Sequence, residues 1–233
     1  MHAYANPTRF LALARPLTRW LLVAGLALAI FGSVYGLLYA PADRLMGDSV
    51  RILYIHVPTV WLAMGGWTGI AIASIMQIVW RHPLAAVAAR AIAVPGAVFT
   101  ALGLITGSIW ARPTWGTWWV WDGRVTSVLV LFFLYLAYIA LANASSEKGG
   151  VSRVTAIFGI VGAINIPIIN RNSLHQPASI TVSGSSIDSA FLWPLMVNVA
   201  GFSLLFGAIV LMRMRGILAE TKVEARLKRM AAE

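Results

Sequence analysis

Three features of the sequence predict an all-α integral membrane protein with six transmembrane helices. The first is composition. Of 233 residues, 59% are hydrophobic and 11% charged, whereas a soluble domain is nearer half apolar and about a quarter charged. The mean hydropathy is +0.79. A water-soluble fold of this size has too much surface to hide so much apolar material, which excludes an ordinary globular enzyme. The second is segment length. Apolar runs near the roughly 20 residues needed to cross ~30 Å of hydrocarbon fall at about 20–39, 57–80, 91–110, 125–142, 154–170 and 191–212. The third is the uneven distribution of basic residues between alternate loops, taken up below.

Each span has its own signature. The first ends at Ala40-Pro41-Ala42, which looks like a small-residue cleavage site. The apolar run before it exceeds the usual 7–15 residues of a signal peptide, so an uncleaved helix is expected. Pro58 falls in the first turn of the second span, where proline is tolerated. Pro95 and Pro194 lie in the third and sixth spans, where neighbouring helices can satisfy the freed backbone groups. The small-residue spacings Gly32-x-x-x-Gly36 and Gly103-x-x-x-Gly107 suit close helix packing. The fifth span is the shortest and contains Asn165 and Pro167. Residues 213–233 form a basic tail, expected as a short charged helix with Glu224 and Lys228 at an i, i+4 spacing. There is no internal repeat, low-complexity tract or separate soluble domain, so 1–233 is taken as one domain.

The net charge is +10, from 18 Lys+Arg against 8 Asp+Glu. In a soluble protein that balance points to nucleic acid; in a membrane protein it reflects cytoplasmic loops, and nucleic acid is set aside. Both termini and the second and fourth loops share one side. That side holds Arg9, Arg15, Arg19, Arg81, Arg90, Lys148, Arg153, Arg213, Arg215, Lys222, Arg226, Lys228 and Arg229, against Arg44, Arg51, Arg112, Arg124 and Arg171 opposite. The positive-inside rule places both ends in the cytoplasm. Cysteine is absent, which removes disulfides, thiolate ligation and thiol catalysis.

The unusual residues gather on the other, outer side. Loop three runs Trp110-Ala-Arg-Pro-Thr-Trp115-Gly-Thr-Trp118-Trp119-Val-Trp121-Asp122-Gly-Arg124. Interfacial belts enrich tryptophan, but this density exceeds what anchoring requires. The spacing of Trp115, Trp118, Trp119 and Asp122 predicts one face of a short helix. Such an aromatic shelf suits a large planar apolar ligand, by stacking and area burial. Of four histidines, His56 and His175 face this side, one on each flank of the loop in sequence. Two imidazoles beside an aromatic shelf fit a pair of axial ligands for a haem iron; Met64, a possible thioether ligand, lies deeper. Arg51, Arg112, Arg124 and Arg171 ring the region and suit either interface anchoring or carboxylates such as propionates. Asp122 fits an orienting role, accepting indole N–H groups or pairing with Arg124. No nucleophile–base pair, paired carboxylates or phosphate loop is present, so the chain reads as a binding or transfer protein and not an enzyme.

The run Trp115-Gly-Thr-Trp-Trp-Val-Trp-Asp122 with Gly-Arg-Val-Thr-Ser127 resembles the WWD motif of haem-handling membrane proteins. Further segments match one branch of that group, the cytochrome c maturation protein C (haem exporter protein C) family. They are Ala40-Pro-Ala-Asp43, Arg51-Ile-Leu-Tyr-Ile-His-Val-Pro58, Pro95-Gly-Ala-Val-Phe-Thr100, Thr106-Gly-Ser-x-Trp110, Asn165-x-Pro-Ile-Ile169, Leu174-His-Gln176 and Leu211-Met-Arg-Met-Arg215. The resemblance covers nearly the whole chain. It implies a protein of the bacterial inner membrane that binds haem b at the periplasmic face and presents it to a periplasmic haem chaperone during cytochrome c maturation. It also implies a small single-span partner, and ATPase and permease subunits of an ABC-type complex. Carried over by motif, His56 and His175 are the axial ligands. Trp115, Trp118, Trp119, Trp121 and Asp122 form the platform, with Arg51 and Arg124 toward the propionates. Two other readings stay open: a membrane subunit whose tryptophan loop docks a partner protein, and a haem-conducting transporter subunit.

Overall fold

The computed structural model describes residues 6–146, 152–174, 182–183 and 186–232. Within them the chain forms α1 (Pro7–Leu38), a 3-10 turn (Asp48–Ile52), α2 (Leu53–Val79), α3 (Ala85–Trp115), α4 (Gly123–Ser146), α5 (Arg153–Gly162), α6 (Asn165–Leu174) and α7 (Ser189–Met230). Before α7 a two-residue antiparallel pair, β1 (Val182–Ser183) and β2 (Ser186–Ile187), is the one sheet among the described residues. Six helical stretches are long and apolar enough to cross a membrane: Pro7–Leu38, Asp48–Val79, Ala85–Trp115, Gly123–Ala144, Arg153–Arg171 and Ser189–Met230. The predicted six-span architecture holds, and the chain is a multi-pass membrane protein.

Two spans differ from their sequence-based outlines. The fifth is broken: α5 ends at Gly162, and α6 restarts at Asn165. Pro167 has no N–H to give the Ala163 carbonyl, which accepts from Ile166 in a tighter turn instead (3.1 Å). The Asn165 amide donates to the Ser127 carbonyl (2.9 Å) and ties the restart to α4. The sixth does not end at the membrane. It continues through the basic tail as one 42-residue helix, about 63 Å at 1.5 Å per residue, so the tail is not a separate short helix. Its Lys, Arg, Glu, Leu and Ala residues are good helix formers, there is no proline from Arg213 to Met230, and the helix runs through the single Gly216.

Small residues let the spans approach. α1 packs along α7 with Gly201 against the backbone of Ala29, where a β-carbon has no room. The buried core lies between α2, α3 and α4, around Trp67, Leu131, Tyr135 and Tyr138. The Tyr135 hydroxyl donates to the Ala63 carbonyl (2.7 Å), and its ring meets Trp67 edge-on at 4.9 Å. This pairing fixes α4 against α2 below the end of the bundle where the site is built.

Candidate functional site

A cavity of about 620 Å³ opens where the start of α2 and the end of α3 meet the start of α4, within the range of small-molecule sites. Its local architecture follows from two terminators. α3 stops at Trp115 because Gly116 takes φ +75°, and its N–H closes on the Arg112 carbonyl. α4 starts at Gly123 because the Asp122 carboxylate accepts from the Val125 N–H (2.8 Å) and its carbonyl from Thr126 (3.0 Å). Residues 117–122 between them are irregular. The short helix expected from the tryptophan spacing is therefore absent: a glycine cap and an aspartate cap leave too few residues to nucleate one.

The aromatic wall is assembled another way. Trp110 and Trp115 come from the last turns of α3, and Trp118 and Trp119 from the loop; all four line the cavity. Trp121 does not. It is 75% exposed and touches only the edge of Trp119, at 5.5 Å between ring centres, among the ring contacts of the described residues. Arg124 lies over Trp115, its guanidinium carbon 4.9 Å from the ring centre, with Nη2 3.6 Å from Asp122 Oδ2. Asp122 and Arg124 both line the cavity. Arg51 is elsewhere: it donates to the Leu37 carbonyl (3.2 Å) and pairs with Asp48 (3.3 Å), holding the corner between α1 and α2.

His56 projects from the first turn of α2 into the same cavity. Its Nδ1 lies 3.0 Å from the Thr106 hydroxyl oxygen. That hydroxyl spends its own proton on the Leu102 carbonyl one turn back (2.7 Å), so it accepts from the ring. In that arrangement the ring donates from Nδ1, and the Nε2 lone pair is left for a ligand. Gly107 makes room for the ring, since a β-carbon there would stand 3.1 Å from His56 Cε1. The edge of Trp110 closes the other side at 5.7 Å. His175 lies outside the described residues; α6, which leads to it, contributes Ile169 to the cavity wall.

The donor set of the cavity fits a planar apolar ligand that carries acceptors. Val57, Val60, Leu104 and Val128 supply apolar wall. Among the described residues Trp110 Nε1 and Trp119 Nε1 are buried without a hydrogen-bond acceptor, and Arg124 Nη2 has only the Asp122 carboxylate at ion-pair distance; buried donors without acceptors are uncommon unless a ligand or water completes them. Sequence reasoning missed Thr106 and gave no role to Trp110. The spacing Gly103-x-x-x-Gly107 was a real signal of close approach, but what approaches is Val60 and the His56 ring.

Fold and site together define a multi-pass membrane protein with an imidazole-bearing aromatic cavity at one end of its helical bundle. The sequence model of the family described as Heme exporter protein C matches residues 1–229, and the chain belongs to that family. It is 48% identical over 227 residues to Heme exporter protein C of Bradyrhizobium diazoefficiens, covering 95% of this chain and 86% of that protein. The Escherichia coli K12 protein of that name is 40% identical over 223 residues, 94% of this chain and 90% of that one. The Paracoccus denitrificans protein is 36% identical over 237 residues, covering 98% and 95%.

Proposed function

We propose that the chain works in haem export for cytochrome c maturation, binding haem b in the tryptophan-walled cavity and presenting it to a periplasmic haem chaperone. The observation that carries the reading is His56, held through Nδ1 by the Thr106 hydroxyl, inside an apolar cavity walled by four tryptophans. Relatives named Heme exporter protein C support the cargo. The porphyrin stacks on the indoles of Trp115, Trp118 and Trp119. Arg124, over Trp115 and beside Asp122, takes a propionate; Arg51 joins it only by releasing Asp48 or Leu37. His175, which follows α6 in sequence, supplies the second imidazole.

The bound iron supplies the affinity for imidazole; the chain supplies position, an apolar wall and a way out. His56 sits on a packed helix, whereas Trp118 and Trp121 are 59% and 75% exposed on the loop. The exposed edge is where the chaperone docks, with Trp121 free to contact it. A small single-span subunit and ATPase and permease subunits complete the assembly in the bacterial inner membrane, with the cavity on the periplasmic side. The test is the absorption and EPR spectrum of the detergent-purified protein with haem. A low-spin ferric signal that His56→Ala and His175→Ala each convert to high spin supports the reading. Unchanged spectra in both variants, with chaperone loading intact, refute it and favour partner docking by the tryptophan loop.

A further inference from the structure

At the opposite end of the bundle, α3, α4 and α7 enclose a second crevice of about 330 Å³. Its head is charged. Arg90 and Arg213, both half-buried, line it with Asn143 and Glu220. Pro95 has no N–H, so the Ala91 carbonyl one turn back is left without its helical partner. Arg213 Nε donates to that carbonyl (3.0 Å). This bond anchors the guanidinium and leaves its terminal nitrogens without a hydrogen bond among the described residues. Arg90 makes no hydrogen bond or ion pair among the described residues.

Below the head the walls turn apolar in register. On α3, Val94 lines the crevice one turn after Arg90; Val98, a further turn on and beyond the lining, is 51% exposed. On α4, Ile139 lines the crevice one turn before Asn143; Leu136, a turn further and beyond the lining, is 43% exposed. A charged head therefore leads into an apolar track on the membrane-facing side of two neighbouring helices. That is the outline of an amphiphile.

We propose that this crevice binds the phosphodiester headgroup of a membrane phospholipid, with Arg90 and Arg213 forking the phosphate and an acyl chain running along Val98 and Leu136. Guanidinium groups match phosphate oxygens in pairs, and basic pockets between transmembrane helices at the cytoplasmic side are a recurrent headgroup site. The apolar track decides for a lipid over free phosphate, which has no use for it. Among the described residues Glu220 is the one acid lining the crevice; it opposes an anionic headgroup and receives the ammonium of an ethanolamine one.

Native mass spectrometry of the full chain tests this, with phosphatidylethanolamine, phosphatidylglycerol and diacylglycerol of matched chains added in detergent. One phospholipid should be retained, and diacylglycerol should not. Arg90→Gln should weaken retention by about tenfold or more, the loss of a charge-assisted hydrogen bond. Because Arg90 holds no other residue, its thermal unfolding should match the parent. Glu220→Gln should tighten phosphatidylglycerol and leave ethanolamine no advantage. Equal retention by Arg90→Gln, equal binding of diacylglycerol, an unmoved Glu220→Gln, or removal of the lipid by inorganic phosphate alone overturns the proposal.

Discussion

Thr106→Val isolates the contribution of one hydroxyl to the site. Valine keeps the volume and branching of threonine, so α3 and the space beside Gly107 are preserved while the acceptor for His56 Nδ1–H disappears. Two consequences follow from the geometry. His56 Nδ1, 3.0 Å from the Thr106 oxygen, loses that hydroxyl as a partner, and an unsatisfied buried donor costs about 1–3 kcal/mol. The ring is also released to turn or to exchange tautomers, so Nε2 no longer meets the ligand preformed. Replacing the outer partner of a ligating histidine costs about 10–100-fold in affinity, which agrees with that energy at 1.4 kcal/mol per tenfold. The assay is haem titration of the purified protein followed by absorbance, with the EPR spectrum of the loaded form. Haem affinity should fall 10–100-fold, and Thr106→Ser, which restores the hydroxyl, should recover most of it. Wild-type affinity and an unchanged spectrum for Thr106→Val, while His56→Ala loses its axial signal, would refute the positioning argument and leave the ligand assignment standing. If His56→Ala is also silent, the haem reading itself fails.

Three further perturbations separate the parts of the site. Gly107→Val places a branched side chain where a β-carbon already stands 3.1 Å from the His56 ring; haem binding should be lost with thermal stability nearly unchanged, as read by titration and melting. Asp122→Asn retains a good helix cap but weakens the contact to Arg124, whereas Asp122→Ala loses both. Melting should therefore fall only for the alanine variant, by about 1 kcal/mol, with haem affinity lowered in both. Trp121→Ala should leave haem retention intact and slow transfer to the chaperone, measured by stopped-flow absorbance, because this indole lies outside the cavity and 75% exposed.

Six spans are legible because membrane insertion demands one dominant signal, a long apolar run, and the chain supplies it six times. The gathering of Trp115, Trp118, Trp119, Asp122, Arg124 and His56 is legible too, since alternate loops must share a side and the tryptophans crowd into one of them. What escapes is geometry set by terminators. A spacing of three and four residues reads as a helical face only if the helix continues, and Gly116 stops it. Arg51 stands close to His56 in sequence, yet it turns to Asp48 and the Leu37 carbonyl, partners invisible to a motif. Thr106 is hidden for a different reason. It sits fifty positions from His56, and only the packing of α2 on α3 brings the hydroxyl to the ring.

That packing also bears on how a holding site lets go. His56 belongs to a helix clamped on several sides, by Thr106, Gly107 and the Trp67–Tyr135 core below. The aromatic shelf belongs partly to residues 117–122. Within that loop the Thr117 hydroxyl donates to the Trp119 carbonyl (3.2 Å) and accepts from the Trp119 N–H (3.5 Å). Segments with few hydrogen bonds and exposed side chains open at low free energy. Release is therefore expected through the loop, with the shelf moving off the porphyrin edge while His56 keeps its place. Amide hydrogen exchange reads the difference directly: 117–121 should exchange much faster than 54–60 in the free protein, and haem should slow the loop far more than the helix. Equal protection of the two segments, or a haem effect confined to α2, would mean the shelf is as rigid as the helix, and that transfer has to begin by breaking the His56 bond.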